Sequence, residues 1–383
     1  MNKKRILIIS DFSSIHIYNY VKNVVRLCDA QFVCIHSIGQ VSELPPYYSE
    51  YYSKIGIQVV SGILPSPQKG ILGKIINIRR IITLIKSLGK FDTIHVHYVS
   101  INSAFAVYFT RKQFGSIILS FWGSDLLRIG TLGHLQLHPI VSVASQITLI
   151  TEDMMNYFKR LPSYISNYSN RCQVLDFGDM FLDTIDKYRK WDETKLRESF
   201  GLEKNKIVVM IGYNGKKSMQ QLEILQELLQ ADFYFKDKVQ FVIPTLYADE
   251  DENTVIDDII EKFETKTVLF RDFMDGETIS RFRAATDIFI HGQKTDALSN
   301  TMLELLYAGT IVLNGEWLGY STLDNNNVYY HKFAQFNQIA GLIQQIISNI
   351  DDEKKHAHCN REHIYKLCSW KYLQTSWLNL YRN

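Results

Sequence analysis

The stretch TDALSNTMLELLYAGTIVL, residues 295–313, decides the fold. It reads as a loop, an apolar segment of helix length, a stop at Ala308-Gly309 and a short β-branched run. Just upstream, RFRAATDIFIHG at residues 281–292 reads as a helix end followed by a strand over 288–291. Strand, loop, helix and strand in that order make one repeat of a helix-covered parallel sheet. Asp296 falls in the loop, and Glu304 follows eight residues later in the expected first turn of the helix. A helix N-terminus at a sheet edge favours anions, through its free N–H groups and its dipole. A carboxylate beside it can accept hydrogen bonds from sugar hydroxyls. Together these suit a nucleotide-sugar diphosphate. The plainer alternative is a capping box, Thr301-x-x-Glu304, in which Glu304 only returns to the backbone.

The same alternation runs through the chain. Strand candidates are residues 5–10, 31–35, 57–60, 93–97, 117–121 and 147–150, then 207–211, 239–243, 267–270, 288–291, 311–314 and 328–330. Two such series predict an α/β chain of two Rossmann-like domains facing each other across a cleft, with ligands beyond the carboxyl ends of the strands. The first domain is expected over 1–180 and the second over 200–360, with a charged connection between them. A last helix over 361–383 is expected to return to the first domain. It carries Trp370, Tyr372, Trp377 and Tyr381.

At 383 residues and 46% hydrophobic content the chain can build two cores. A net charge of +2 gives no demand for a nucleic-acid partner. The five cysteines are odd in number and lack CxxC spacing, which fits a reduced compartment and not a disulfide framework. His356, His358, Cys359 and His363 imitate a metal cluster but sit in a charged, helix-like stretch and read as surface. The opening MNKKRILIISDF imitates a signal peptide, but its apolar run is too short and Asp11 ends it. No window reaches membrane-spanning length. The reading is a cytosolic protein, with peripheral contact at the inner face of a membrane left open.

Several other segments can carry chemistry. After the first strand, SDFSSIHIYNY at residues 10–20 opens a helix. His16 can donate to a phosphate or act as a base, or stand exposed behind a cap by Ser13 or Ser14. After the strand at 117–121, SFWGSDLLR places Asp125 where a helix begins, as an acceptor-binding group, a general base or an N-cap. Trp122 can stack on a sugar or fill a core. His95 and His97 share one strand face. His97 is the better cleft candidate, a satisfied core histidine the plainer one. In the second half, IGYNGKK at 211–217 places Gly212 and Gly215 in a tight loop. Lys216 and Lys217 follow as charge for a departing diphosphate. Residues 70–90 read as a basic amphipathic helix. Ile75, Ile78, Ile81 and Ile85 are expected on one face, Arg79, Arg80 and Lys86 on the other. It is either an ordinary domain helix or a dock for anionic lipid.

Taken together, these motifs resemble the two-domain glycosyltransferases of the GT-B architecture, especially the family-4 type. The carboxylate-x7-carboxylate segment from Asp296 to Glu304 is similar to that group's two-glutamate motif. The IGYNG loop and LLYAGTIVLNGEWLGY also resemble the bacterial TDP-fucosamine–lipid transferases of enterobacterial common antigen synthesis. The resemblance implies that Glu304 holds the nucleotide ribose and that Asp296 faces the donor sugar. It implies that N–H groups of Ser299, Asn300 and Thr301 face the diphosphate, whose charge Lys216 and Lys217 neutralise beside Gly215. It places Asp125 in the first-domain loop where many relatives carry His-Gly-x-Asp. Three departures stand out: Asp296 replaces a Glu, Ser299 a common Gly, and Trp122 the common His. The last leaves retention or inversion of the anomeric centre open.

The expectation is a metal-independent hexosyltransferase without a cofactor. It would move a sugar from a nucleotide-diphosphate donor to a glycan or lipid-linked acceptor in bacterial surface polysaccharide synthesis. The rivals are a nucleotide-sugar epimerase on the same fold and a catalytically degenerate partner subunit.

Overall fold

The computed structural model describes residues 3–37, 41–62, 70–231, 236–263 and 265–382. Two compact units result. Unit 1 comprises Met1–Gly178 with Trp370–Asn383, and unit 2 comprises Asp179–Ser369.

Unit 1 is a seven-stranded parallel sheet of β1 (Lys4–Ser10), β2 (Ala30–His36), β3 (Gln58–Ser61), β4 (Phe91–His97), β5 (Phe114–Phe121), β6 (Gln146–Leu149) and β7 (Cys172–Val174). The spatial order is β3-β2-β1-β4-β5-β6-β7. Chain direction across the sheet reverses between β1 and β4, where Ile6 pairs with Phe32 on one side and Thr93 on the other. The helices used below are α1 (Ile15–Asn23), α2 (Pro46–Lys54), α3 (Gly70–Leu88), α4 (Ile101–Thr110), α5 (Ser124–Leu127) and α6 (Gly130–Val143). One core joins Ile6, Ile8 and Tyr20 to Trp377 and Tyr381 of the returning C-terminal segment. Trp377 is fully buried, and its Nε1–H donates to Asp176 O at 2.8 Å.

Unit 2 has β8 (Ile207–Ile211), β9 (Val239–Pro244), β10 (Thr267–Phe270), β11 (Ile288–His291), β12 (Ile311–Gly315) and β13 (His331–Phe333). Its order, β10-β9-β8-β11-β12-β13, reverses direction between β8 and β11. The strands form because they are near-continuous apolar runs, the pattern of parallel sheets buried on both faces. Every residue of β9, β11 and β12 is buried.

Three details correct the sequence reading. The last strand is His331–Phe333 and not residues 328–330, because the Asn360 side chain takes both backbone groups of Tyr329, its N–H at 2.6 Å and its carbonyl at 2.7 Å. The three-residue β7 was not expected. The C-terminal helix is two helices, Ile350–Cys368 and Trp370–Asn379, broken at the extended Ser369. Ser369 pairs with Asp179, so the chain leaves unit 2 beside the point where it entered.

Candidate functional site

In unit 2 the loops after β8, β9 and β11 meet at the carboxyl edge of the sheet, beside its direction switch. The Gly212 N–H donates to Ile290 O at 3.0 Å, and the Gly215 N–H to Leu246 O at 2.8 Å. The Lys294 N–H reaches Ser218 O at 2.8 Å. Gly212 has φ +62 and turns the chain sharply after β8. Gly215 is required by space: a Cβ there would lie 2.5 Å from the Thr245 carbonyl oxygen and 2.5 Å from Ala248 Cβ.

The loop from Gly292 to Ser299 is stapled by side chains. Tyr213 OH donates to Gln293 Oε1 at 2.9 Å, and Trp317 Nε1–H to Gln293 O at 2.8 Å. Gln293 Nε2 in turn donates to Thr295 O at 3.1 Å. Asp296 is half-buried. Its carboxylate accepts the Ala297 N–H at 2.9 Å and Tyr320 OH at 3.2 Å. Beneath the loop, His291 is fully buried against Asn314 Oδ1 at 2.9 Å, and burial lowers its pKa.

The helix Asn300–Ala308 starts two residues earlier than a Thr301-x-x-Glu304 box requires. Ser299 is the N-cap, and its Oγ accepts the Met302 N–H at 3.3 Å. Asn300 and Thr301 are therefore the first two helical residues, and Glu304 stands in the second turn. Glu304 turns inward and does not return to the backbone. Arg283 Nε donates to its Oε2 at 3.1 Å, while Arg283 Nη2 reaches Thr301 Oγ1 at 3.3 Å. Glu304 and Arg283 are both buried, and the Asp179 carboxyl hydrogen-bonds Glu304. Burial raises the Glu304 pKa against the opposing pull of Arg283. Burial first, and the Glu304 charge second, push Asp179 well above the carboxylate range. The three groups form one buried unit around Glu304. Arg283 and Asp179 were missed as site residues, although Arg283 lies in the segment already quoted as a helix end.

The two lysines are exposed at the rim. Lys217 Nζ pairs with Asp249 at 3.1 Å, and Lys216 Nζ lies 5.3 Å from the centroid of the Tyr247 ring. An exposed pair of this kind contributes roughly 0.2–1 kcal/mol and exchanges readily for another anion.

In unit 1, β1 ends in a turn where Asp11 Oδ1 accepts the Ser13 N–H at 3.0 Å. Ser14 caps α1 through the His16 N–H at 3.3 Å. His16 is half-buried, not exposed. It stands edge-on to Trp122 at 5.9 Å, and burial lowers its pKa so that the ring is neutral near pH 7. Asp125 is not an N-cap, a place held by Gly123. It is buried, and its carboxylate accepts N–H groups from Trp122 at 2.9 Å, Gly123 at 3.0 Å and Val99 at 2.8 Å. That clamp ties the loop after β5 to the end of β4. Burial lifts the carboxyl to about 6 against those three donors.

His95 and His97 are both inside. His95 is a satisfied core histidine, with Nδ1 at 2.7 Å from Tyr381 OH and Nε2 at 2.6 Å from Ser120 Oγ. The chain continues to Tyr20 and Thr148, and burial drives the imidazole down to about 3. His97, expected nearer a cleft, is 1% exposed and lies against His95 with ring centroids 3.8 Å apart. His356, His358 and Cys359 are exposed on one helix. Among the described residues no group of three or more His, Cys, Asp or Glu could hold a metal ion. Nor is any described helix long and apolar enough to cross a membrane.

The family described as Glycosyl transferase 4-like matches residues 5–152. No curated protein matches the chain. Among solved structures, Anabaena HepE in complex with UDP is similar with TM-score 0.71 and 13% identity, covering 99% of each chain. Sucrose-phosphate synthase from Thermosynechococcus elongatus has TM-score 0.75 and 12% identity, covering 99% of this chain and 98% of that one. UDP-GlcNAc 2-epimerase from Neisseria meningitidis bound to UDP-GlcNAc has TM-score 0.65 and 14% identity, covering 99% and 100%. At such identities the likeness is one of fold. The fold is α/β, with two Rossmann-like units, in the GT-B architecture.

Proposed function

We propose that the chain is a glycosyltransferase that takes a hexosyl group from a nucleoside diphosphate sugar and passes it to a glycan or lipid-linked acceptor. The observation that carries this reading is the helix Asn300–Ala308. Its Ser299-capped N-terminus opens at the carboxyl edge of a parallel sheet, beside the direction switch, with Asp296 before it and Glu304 inside it. The similar structures that hold UDP or a UDP-sugar support a donor of that class.

The roles follow from chemistry. N–H groups of the first helical turn face the diphosphate, and Lys216 and Lys217 add charge where the leaving group develops its own. Glu304, oriented by Arg283, takes the ribose hydroxyls, and Asp296 accepts from sugar hydroxyls. The acceptor oxygen bonds to the anomeric carbon as the carbon–oxygen bond to the diphosphate breaks. Neutral His16 takes the acceptor proton in this reading. In this reading Asp125 acts as a positioning residue: its carboxylate accepts three backbone N–H groups and shapes the loop bearing Trp122. The charge supplied by lysines and helix makes the transfer metal-independent. The resemblance to lipid-linked sugar transferases supports a place in bacterial surface polysaccharide synthesis.

Thermal shift against UDP, GDP, TDP, CMP and ADP tests the reading. A ligand at 100 times its dissociation constant stabilises by about 2.7 kcal/mol. One nucleoside diphosphate is expected to stabilise the wild type, and Glu304→Ala to abolish the effect. No response to any of them removes the donor site and leaves the partner-subunit reading. Donor turnover without acceptor, unchanged by chelator, would instead favour the epimerase that shares this fold.

A further inference from the structure

Among the described residues seven large aliphatic side chains stand exposed, and five of them are on α3 and α6 of unit 1. They are Ile71 (79% exposed), Leu72 (61%) and Ile75 (44%) on α3, with Leu132 (68%) and Leu135 (54%) on α6. Isolated apolar groups on a surface need no explanation, but a concentration at one place does.

Topology brings the two groups together. In a parallel sheet each helix returns the chain from the carboxyl edge to the amino edge. The first turns of α3, after β3, and of α6, after β5, therefore lie at the same edge of the unit 1 sheet. α4 packs against both helices, so their starts are roughly 20 Å apart at a helix spacing of about 10 Å.

The face is also cationic, contrary to the arrangement read from sequence. Only Gly73, Ile81 and Ile85 of α3 are buried, and Ile75 is not on their side. At about 100° per residue, Leu72, Ile75, Arg79 and Lys86 fall within roughly 60° of one another on the outward side. Apolar groups near the start of the helix and cations further along thus share one face. Residues 61–151 contain nine lysines and arginines and two acidic residues, Asp92 and Asp125, a net of +7 in a chain whose total is +2. Of those two acids, Asp125 is buried. No carboxylate pairs with Lys74, Arg79 or Lys86 among the described residues. An aliphatic patch set in an acid-poor cationic field is complementary to one kind of surface, a bilayer with anionic headgroups over an apolar interior.

We propose that the outward face of α3 and the start of α6 form a docking face for an anionic phospholipid membrane. Ile71, Leu72, Ile75, Leu132 and Leu135 enter the headgroup boundary, and Arg79 and Lys86 meet the phosphates. α6 follows the Trp122–Asp125 segment after the short α5, so docking would hold that segment near the lipid surface. The proposal goes beyond the transfer reading, and its test needs neither nucleotide nor acceptor.

The test is co-sedimentation of the full chain with vesicles of phosphatidylcholine, and of phosphatidylcholine with an equal share of phosphatidylglycerol. The expected result is binding to the anionic vesicles alone, weakened by salt. Each cation near such a surface contributes about fivefold in partitioning, so Arg79→Gln/Lys86→Gln is expected to lose at least tenfold. Ile71→Ser/Leu72→Ser/Ile75→Ser is expected to lose a comparable amount. Lys190→Gln/Lys204→Gln, with the same charge change on unit 2, is expected to keep wild-type binding. All seven substituted positions are exposed, so melting temperatures are expected to stay at the wild-type value. No wild-type binding to anionic vesicles overturns the proposal, as does equal loss in the unit 2 variant. A wild-type dimer that the serine variant makes monomeric, without vesicle binding, assigns the face to a second copy and also overturns it.

Discussion

Arg283→Met tests the construction of the unit 2 site at its deepest point. Arg283 and Glu304 are paired at 3.1 Å with side chains only 8% and 7% exposed. Removing one partner of a buried pair costs about 3–5 kcal/mol, because the remaining charge loses its compensation. Asp179 moderates the loss here, since its carboxyl still hydrogen-bonds Glu304. The expected cost at pH 7 is therefore at the lower end, about 3 kcal/mol. For a unit of this size each kcal/mol moves the melting point by about 2–4 °C, so the unit 2 transition should fall by roughly 6–12 °C. The pH dependence has a definite sign. Burial already raises Glu304, and losing Arg283 removes the main influence opposing that rise. An acid raised above its unfolded value of about 4.3 keeps its stability below that pH and loses it as pH climbs through the folded value. The penalty should thus grow from pH 5 to pH 7. Arg283→Met/Glu304→Gln removes the orphaned charge and should recover much of the loss. The assay is melting of the full chain followed by near-ultraviolet circular dichroism at both pH values. A variant within about 2 °C of wild type at pH 7, or a penalty that ignores pH, would refute the account of the buried triad.

Two further outcomes are expected. Gly215→Ala must displace the Thr245–Ala248 backbone or its own loop, at an overpacking cost of about 1–3 kcal/mol, and should abolish stabilisation by the nucleoside diphosphate that protects wild type. An unchanged thermal shift in that variant would remove the loop from the donor site. In unit 1, His95 and His97 are both held below their ordinary pKa by burial, His95 at about 3. The unfolded chain then binds protons first as pH falls below about 6.5, and each histidine should withdraw about 1.4 kcal/mol of stability per pH unit. Urea unfolding from pH 7 to pH 5 should show this slope, His95→Asn should flatten it, and an identical slope in the variant would count against a neutral buried His95.

The sheet was legible where strands bury both faces, because such strands are continuous apolar runs with abrupt ends. Residues 207–211 and 288–291 could be read in that way, and Gly309, with φ +90, ends the helix where its sequence said it would. Legibility failed wherever a distant side chain decides a local conformation. Residues 328–330 are as strand-like as 331–333, and Asn360, some thirty residues on, is what excludes them. The same holds at the site. Ser299 and Thr301 are both competent caps, and the two choices differ by two residues in where Glu304 stands. Ser299 as the cap sends Glu304 inward to Arg283, and that contact depends on how two helices pack. Arg281 and Arg283 look alike in RFRAA, yet Arg283 is buried and Arg281 is not. Local pattern specifies which segments are strands, helices and glycine turns, because those preferences act over a few residues. It cannot specify which carboxylate keeps its charge, because that depends on partners brought in from elsewhere in the chain. A paired-carboxylate motif therefore locates a site while leaving open what each carboxylate already holds. Here Asp296 holds Ala297 and Tyr320, and Glu304 holds Arg283 and Asp179. A donor that uses either group must share it with partners the fold has already supplied.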